Sequence, residues 1–140
     1  MDFRSRIRRH CKARLQRAHL PPWPAGPILI IGGALPKLER HVFVCTNQRP
    51  AGSPKGCCAD KGSEEIRAAF KANIAERGLR SRIRANSAGC LDACEYGPAV
   101  VVYPEAVWYA GVTLADVDEI VQRHLIGGEV VERLVLREPA

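Results

Sequence analysis

The sequence predicts one α/β domain, with a small mixed sheet and two main helices in the order β-α-β-β-β-α. Short β-branched and aromatic runs at residues 41–45, 99–103 and 106–110 predict strands. Two segments that start near residues 63 and 113 repeat apolar residues at helical spacing. A chain of 140 residues, of which 46% are apolar, has room for one such domain.

The positive charge of the chain lies at its N-terminal end. The formal net charge is +6; residues 1–34 hold seven basic side chains and one acidic, whereas residues 35–140 hold 14 of each. We therefore interpret residues 1–34 as a basic N-terminal extension, disordered or not native, and residues 35–140 as the folded domain. The neutral folded part gives no electrostatic reason to expect a nucleic-acid partner.

The extension ends near a proline-rich break at residues 21–24 and has four open interpretations. It is an interaction arm, an organelle-targeting peptide, a secretory signal, or a segment that is not translated because synthesis starts near Leu35. No apolar run reaches the roughly 20 residues that a membrane-spanning helix needs. We expect a cytoplasmic protein without a membrane span.

The first half of the domain reads as a strand, a long loop and a helix. Residues 41–45 (HVFVC) predict a short buried strand, and residues 46–62 form a loop of 17 residues. Loops of this length usually hold a site. Ser63 is predicted to cap a helix that Gly78 ends. The apolar face of this helix is Ile66, Ala69, Phe70 and Ile74.

The second half begins with a strand over residues 80–87 and a loop over residues 88–98. A hairpin follows, with strands at residues 99–103 and 106–110. Thr113 and Asp116 form a capping box for a helix that runs through about Leu125. Its predicted apolar stripe is Leu114, Val117, Ile120, Val121 and Leu125. The tail at residues 129–136 either covers its own sheet edge or pairs with a second subunit.

Five of the six cysteines follow the first two strands. Cys45 ends the first strand, Cys57 and Cys58 lie late in the first loop, and Cys90 and Cys94 lie in the second loop. A right-handed crossover makes the first two strands parallel neighbours, so both loops leave the same end of the sheet. We therefore expect these thiols to converge.

Convergent thiols have three common fates. Disulfides need an oxidising compartment, and a thioredoxin-type site needs a C-x-x-C motif that this chain lacks. Structural zinc usually takes two short knuckles, and only Cys90 with Cys94 has that spacing. One wide and one tight pair suit a [2Fe–2S] cluster better. Arg49 and Lys55 in the first loop either offset the negative charge of such a cluster or are solvated loop charges.

Two stretches of the sequence are distinctive. The first is residues 40–50 (RHVFVCTNQRP), followed by Gly56, a cysteine thirteen positions after Cys45 and residues 62–65 (GSEE); the second is residues 88–98 (AGCLDACEYGP). With these stretches the sequence resembles the thioredoxin-like [2Fe–2S] ferredoxins, also called Shethna-type ferredoxins. The resemblance covers about residues 36–136 and implies a thioredoxin-like fold, one-electron transfer and frequent homodimers. It also implies that the cluster ligands are Cys45, Cys58, Cys90 and Cys94.

Two features depart from the family pattern. Cys57 stands where the family usually has a non-ligating residue such as serine, so Cys57 remains an alternative ligand to Cys58. The N-terminal extension has no counterpart, and Cys11 within it is taken as a bystander.

We thus expect an electron carrier, not an enzyme, whose partners are a reductase or another oxidoreductase. Two alternatives stay open. One is a cluster-bearing subunit of a flavin-linked NAD-dependent dehydrogenase or hydrogenase, and the other is a zinc-stabilised interaction module.

Overall fold

The computed structural model of the protein describes residues 37–137. The predicted extension and Cys11 lie outside the described residues. Within them, four strands form one mixed sheet: β1 (Arg40–Cys45), β2 (Ile83–Ala88), β3 (Val100–Tyr103) and β4 (Val107–Tyr109). The strands lie in the order β2-β1-β3-β4. β1 is parallel to β2 and antiparallel to β3, and β3 and β4 form the predicted hairpin.

Two helices complete the α/β architecture. Helix α1 (Ser63–Glu76) packs on β1 and β2 and contacts helix α2 (Leu114–Glu119), which continues directly into a π-helical segment (Ile120–Ile126). The predicted α1 face is confirmed, because Ile66, Phe70 and Ile74 are buried and Ala69 packs against them. These side chains share one core with alternate residues of the strands, such as Val42 and Val44 of β1.

The N-terminus of α1 differs from the prediction. Ser63 is the first helical residue rather than the cap, and Gly62 precedes it with a φ of 78°, in the left-handed region that favours glycine. A cap residue needs a non-helical backbone to turn its hydroxyl back over the first turn, and Ser63 is already helical. Its Oγ is buried and has no hydrogen-bond partner within residues 37–137.

The start of β2 also differs from the prediction. The strand begins at Ile83, not at residue 80, because the chain first turns: the N–H groups of Arg82 and Ile83 donate to the carbonyl of Leu79 at 2.9 Å and 2.8 Å. Gly78, with a φ of 68°, allows the preceding helix to end there, as predicted.

Helix α2 begins with the predicted capping box. The N–H of Thr113 donates to Oδ2 of Asp116 at 2.8 Å, and the Thr113 side chain accepts from the backbone N–H of Asp116. Most of the predicted apolar stripe is buried, but Leu114 is 57% exposed. Leu114 occupies the first helical position, where the side chain projects beyond the core that the later turns cover.

The tail covers the outer edge of β4. The N–H of Leu136 donates to the carbonyl of Trp108, and the N–H of Ala110 donates to the carbonyl of Leu134, both at 2.8 Å. Of the two interpretations of the tail, the structure therefore shows coverage of its own sheet edge, which removes unpaired backbone groups from that edge. No helix within residues 37–137 is long and apolar enough to cross a membrane.

Candidate metal centre

The two cysteine-bearing loops start side by side. In the parallel register of β1 and β2, Cys45 lies opposite Ala88, so both strands end at the same level. The first loop leaves β1 after Cys45, and the second leaves β2 after Ala88. The prediction that both loops leave one end of the sheet is confirmed.

Four of the five thiols form a connected set. The sulfur atoms of Cys45, Cys58 and Cys94 all lie within 4.8 Å of one another, and the three residues are buried. Cys90 is exposed, and its Sγ lies 3.6 Å from Sγ of Cys94. Cys57 is also buried, but among the described residues its sulfur does not join the group of three. All five are free thiols.

A glycine provides the space beside the sulfur of Cys58. A short 3-10 turn spans Cys94–Tyr96 in the second loop, and Gly97 ends that turn. A Cβ atom added to Gly97 would lie 2.5 Å from Sγ of Cys58 and 3.2 Å from the carbonyl oxygen of Cys94. Any side chain at position 97 would therefore force the sulfur of Cys58 to move.

Arg49 joins the first loop to the thiols of the second. Its Nη2 donates to Sγ of Cys90 at 3.2 Å and lies 4.0 Å from Sγ of Cys94. The backbone N–H of Asp92 also donates to Sγ of Cys90, at 3.3 Å. Asp92 has a φ of 59° in the turn between the two cysteines. The exposed sulfur thus accepts one charged and one neutral hydrogen bond.

Two lysines of the first loop also reach the second loop. Lys61 Nζ donates to the carbonyl of Cys94 at 2.7 Å and to that of Glu95 at 3.2 Å. Lys55 Nζ pairs with Oδ1 of Asp92 at 3.2 Å. Sequence reasoning had singled out Lys55 but missed Lys61, because nothing in the sequence shows that its ammonium group will face carbonyls some 30 residues away.

The thiols differ in how easily they ionise. Burial, with Cys45 nearby, raises the pKa of the Cys58 thiol to about 12, and burial also raises the pKa of Cys94. The hydrogen bonds from the Asp92 N–H and from Arg49 lower the pKa of Cys90. Buried thiolates in contact repel one another, so three of them are stable together only with a compensating cation. This donor set is therefore suited to holding a metal.

Fold and site together define a small α/β protein with a cysteine cluster able to bind a metal at the loop end of its sheet. No protein-family model matches the chain. It is 51% identical over 98 residues to a 2Fe-2S ferredoxin of Aquifex aeolicus (strain VF5), a match that covers 69% of this chain and 88% of that protein. It is 48% identical over 96 residues to a 2Fe-2S ferredoxin of Clostridium pasteurianum, covering 69% of this chain and 94% of the relative.

The structure agrees with this relationship. It superposes on the crystal structure of the wild-type thioredoxin-like [2Fe–2S] ferredoxin from Aquifex aeolicus with a TM-score of 0.69 and 49% sequence identity, covering 72% of this chain and 99% of that one. The chain belongs to the family of thioredoxin-like [2Fe–2S] ferredoxins. The fold implied by the sequence resemblance is thereby confirmed.

Proposed function

We propose that this protein is a one-electron carrier that uses a [2Fe–2S] cluster held by Cys45, Cys58, Cys90 and Cys94. The observation that carries the proposal is the meeting of these four sulfur atoms, three of them within 4.8 Å of one another and the fourth 3.6 Å from Cys94. Four cysteine thiolates are the usual ligand set of a [2Fe–2S] cluster, which supplies one-electron redox chemistry when bound.

The chain's own residues fit that group. Gly97 leaves the side of Cys58 open where any Cβ would intrude. Arg49 supplies positive charge at the tight pair, Cys90 and Cys94, and offsets the negative charge of the thiolates. Cys57 is left without a role in the ligand set.

The exposed side of the site is the side of Cys90. Cys45, Cys58 and Cys94 are buried, whereas Cys90 is exposed. We place electron exchange with partner proteins at this edge, because a partner approaches closest there.

The remaining features of the proposal concern the protein as a whole. The protein has no substrate of its own and is not an enzyme, and its partners are a reductase or another oxidoreductase rather than a nucleic acid. It acts in the cytoplasm and forms homodimers, as its resemblance to the family implies. Residues 35–140 form the ferredoxin domain, and residues 1–34 are an extension outside it.

Anaerobic purification of the full chain, followed by spectroscopy and metal analysis, tests this function. We expect visible absorbance, about two iron and two sulfide ions per chain, and an EPR signal that appears on one-electron reduction. Zinc without visible absorbance would contradict the proposal and favour a zinc-stabilised module. Copurification with a flavoprotein in fixed stoichiometry would instead identify a subunit of a flavin-linked dehydrogenase or hydrogenase.

A further inference from the structure

Arg49 is in contact with the sulfur atoms of the tight cysteine pair. Arg49 lies in the first loop, four residues after Cys45. Its Nη2 lies 3.2 Å from Sγ of Cys90 and 4.0 Å from Sγ of Cys94. Within residues 37–137, no other charged side chain donates to a sulfur of the four thiols. Its Nε is buried and has no partner among the same residues. Among the described residues, the guanidinium therefore has its hydrogen-bond acceptors at the sulfurs of Cys90 and Cys94.

A guanidinium in this position affects the two redox states differently. It stays charged at any physiological pH, and its hydrogen bonds to ionised acceptors are about twice as strong as neutral ones. Reduction adds one negative charge to the site, and the attraction between that charge and a nearby cation is stronger where water is partly excluded. Hydrogen bonds to the cysteine sulfurs are among the factors that set the potential of iron–sulfur sites. A donor of this kind favours the reduced state.

We propose that Arg49 is a positioning residue that raises the reduction potential of this site through its hydrogen bonds to Cys90 and Cys94. The inference rests on the proposed function, since it assigns a role toward the cluster that these cysteines hold. Arg49 is then the residue that tunes the potential, and Sγ of Cys90 and Sγ of Cys94 are the atoms on which it acts.

A purely structural role for Arg49, as a link between the two loops, predicts a different result. A variant of Lys55 distinguishes a structural link from an effect on the sulfurs. Lys55 also lies in the first loop, carries the same charge and reaches the second loop. Its partner is Oδ1 of Asp92 at 3.2 Å rather than a sulfur atom. Arg49→Gln and Lys55→Gln therefore both remove one positive charge and a side-chain link between the two loops, but only the first removes hydrogen bonds to sulfur.

The test is an equilibrium redox titration of the full-length holoprotein, followed by EPR and visible absorbance. At the wild-type midpoint potential, we expect Arg49→Gln to lower the ratio of reduced to oxidised protein by about tenfold, because hydrogen bonds to the sulfurs are stronger in the more negative reduced state and their loss destabilises that state more. Lys55→Gln should lower it by less than about threefold, because exposed charges are screened. Arg49→Lys, which keeps the charge without the planar fork, should give an intermediate ratio.

Resonance Raman spectra provide a second readout. The iron–sulfur stretching bands should shift in Arg49→Gln and stay unchanged in Lys55→Gln. Equal potentials in wild type and Arg49→Gln, or equal shifts in the two glutamine variants, would overturn the inference. If Arg49→Gln does not retain the cluster, the Arg49→Lys variant decides, and a wild-type potential and spectrum there would overturn it. Wild-type protein without the cluster would contradict the proposed function itself.

Discussion

At the scale of single residues, two adjacent cysteines have different surroundings. The carbonyl of Cys58 accepts hydrogen bonds from the N–H groups of Lys61 and Ser63 at 3.1 Å and 3.2 Å, so its backbone is fixed just before helix α1. Its sulfur lies among those of Cys45 and Cys94. Cys57 is equally buried but has no place in that group within the described residues.

Replacing each of these cysteines with serine tests the proposed ligand. We expect Cys58→Ser to lose or strongly alter the visible absorbance and the EPR signal of the purified protein, because a buried hydroxyl binds iron more weakly than a thiolate does. Cys57→Ser is the matched control and should leave both spectra unchanged. Loss of the spectra in Cys57→Ser alone would reverse the assignment.

Gly97 allows a similar test without touching a sulfur atom. Gly97→Ala places a Cβ 2.5 Å from Sγ of Cys58, and the backbone oxygen of Cys94 at 3.2 Å limits any movement away. We expect lower iron content and a destabilisation of about 1–3 kcal/mol from overpacking. Metal analysis measures the iron content, and urea unfolding measures the loss of stability.

The control for this substitution is Gly89→Ala, in the same loop. A Cβ on Gly89 meets no described atom within 4 Å, and neither glycine has a positive φ. Gly89→Ala should therefore keep its iron and its stability, and an equal loss in both variants would show that the cause is not the contact with Cys58.

At the scale of elements, the tail takes the place of a fifth strand. β4 has only three residues, and its outer edge is paired by the tail, through the bridge between Tyr109 and Val135. Val131 and Leu134 anchor the tail in the core. A short edge strand protected in this way offers few free backbone groups to another chain.

Removing the anchor should loosen the tail. Leu134 is 8% exposed, and Leu134→Ala is expected to lower the free energy of unfolding by about 2–4 kcal/mol, since it deletes buried methyl groups and leaves a cavity. Urea unfolding followed by circular dichroism measures the loss. Glu132→Ala, in the same turn, is the control, because Glu132 is exposed and its ion pair with Arg137 is exposed too. Similar losses in both variants would contradict the anchoring role.

At the scale of the whole molecule, a buried histidine links the helix layer to the sheet. His124 of the π-helical segment is fully buried, and its Nδ1 lies 2.7 Å from the hydroxyl of Tyr109. That hydroxyl accepts the N–H of Val131 at 3.2 Å, so its own proton is directed to Nδ1. Burial lowers the pKa of His124. The Glu105 carboxylate, 3.8 Å from Nε2, acts in the opposite direction but has the smaller effect.

This burial makes folding sensitive to mild acid. Because the folded state holds His124 neutral, the unfolded chain takes up a proton first, near its ordinary pKa of about 6.5. The contribution of neutral His124 to the free energy of unfolding is fully present above that pH. It falls as the pH decreases below it, by at most about 1.4 kcal/mol per pH unit. His41, whose pKa is also lowered by burial and by Arg84, acts in the same direction.

A comparison of unfolding at several pH values checks this dependence. Between pH 7 and pH 5, the free energy of unfolding of wild type should fall more steeply than that of His124→Gln, measured in the same buffers. His41→Gln should flatten the profile less, since His41 is only partly buried. Parallel profiles for wild type and His124→Gln would contradict the assignment.

The local features of the fold could be predicted from the sequence, because they depend on residues that are close along the chain. Helical spacing identified Ile66, Phe70 and Ile74 as one face, and the capping box at Thr113 was read from a four-residue pattern. The crossover rule then placed Cys45 and the second loop at one end of the sheet. The same local reasoning failed for Ser63 and Leu114, where the helix start depends on what packs around it.

The sequence by itself therefore determined the α/β class, the order of elements and the loops that carry the thiols. Only the tertiary structure decided which sulfur atoms meet, that Arg49 donates to Cys90, and that the tail covers β4. The physical reason is distance along the chain. Propensity and periodicity act over a few residues. The contact of Arg49 with Cys90, by contrast, joins residues 41 positions apart, so it depends on strand register and loop path.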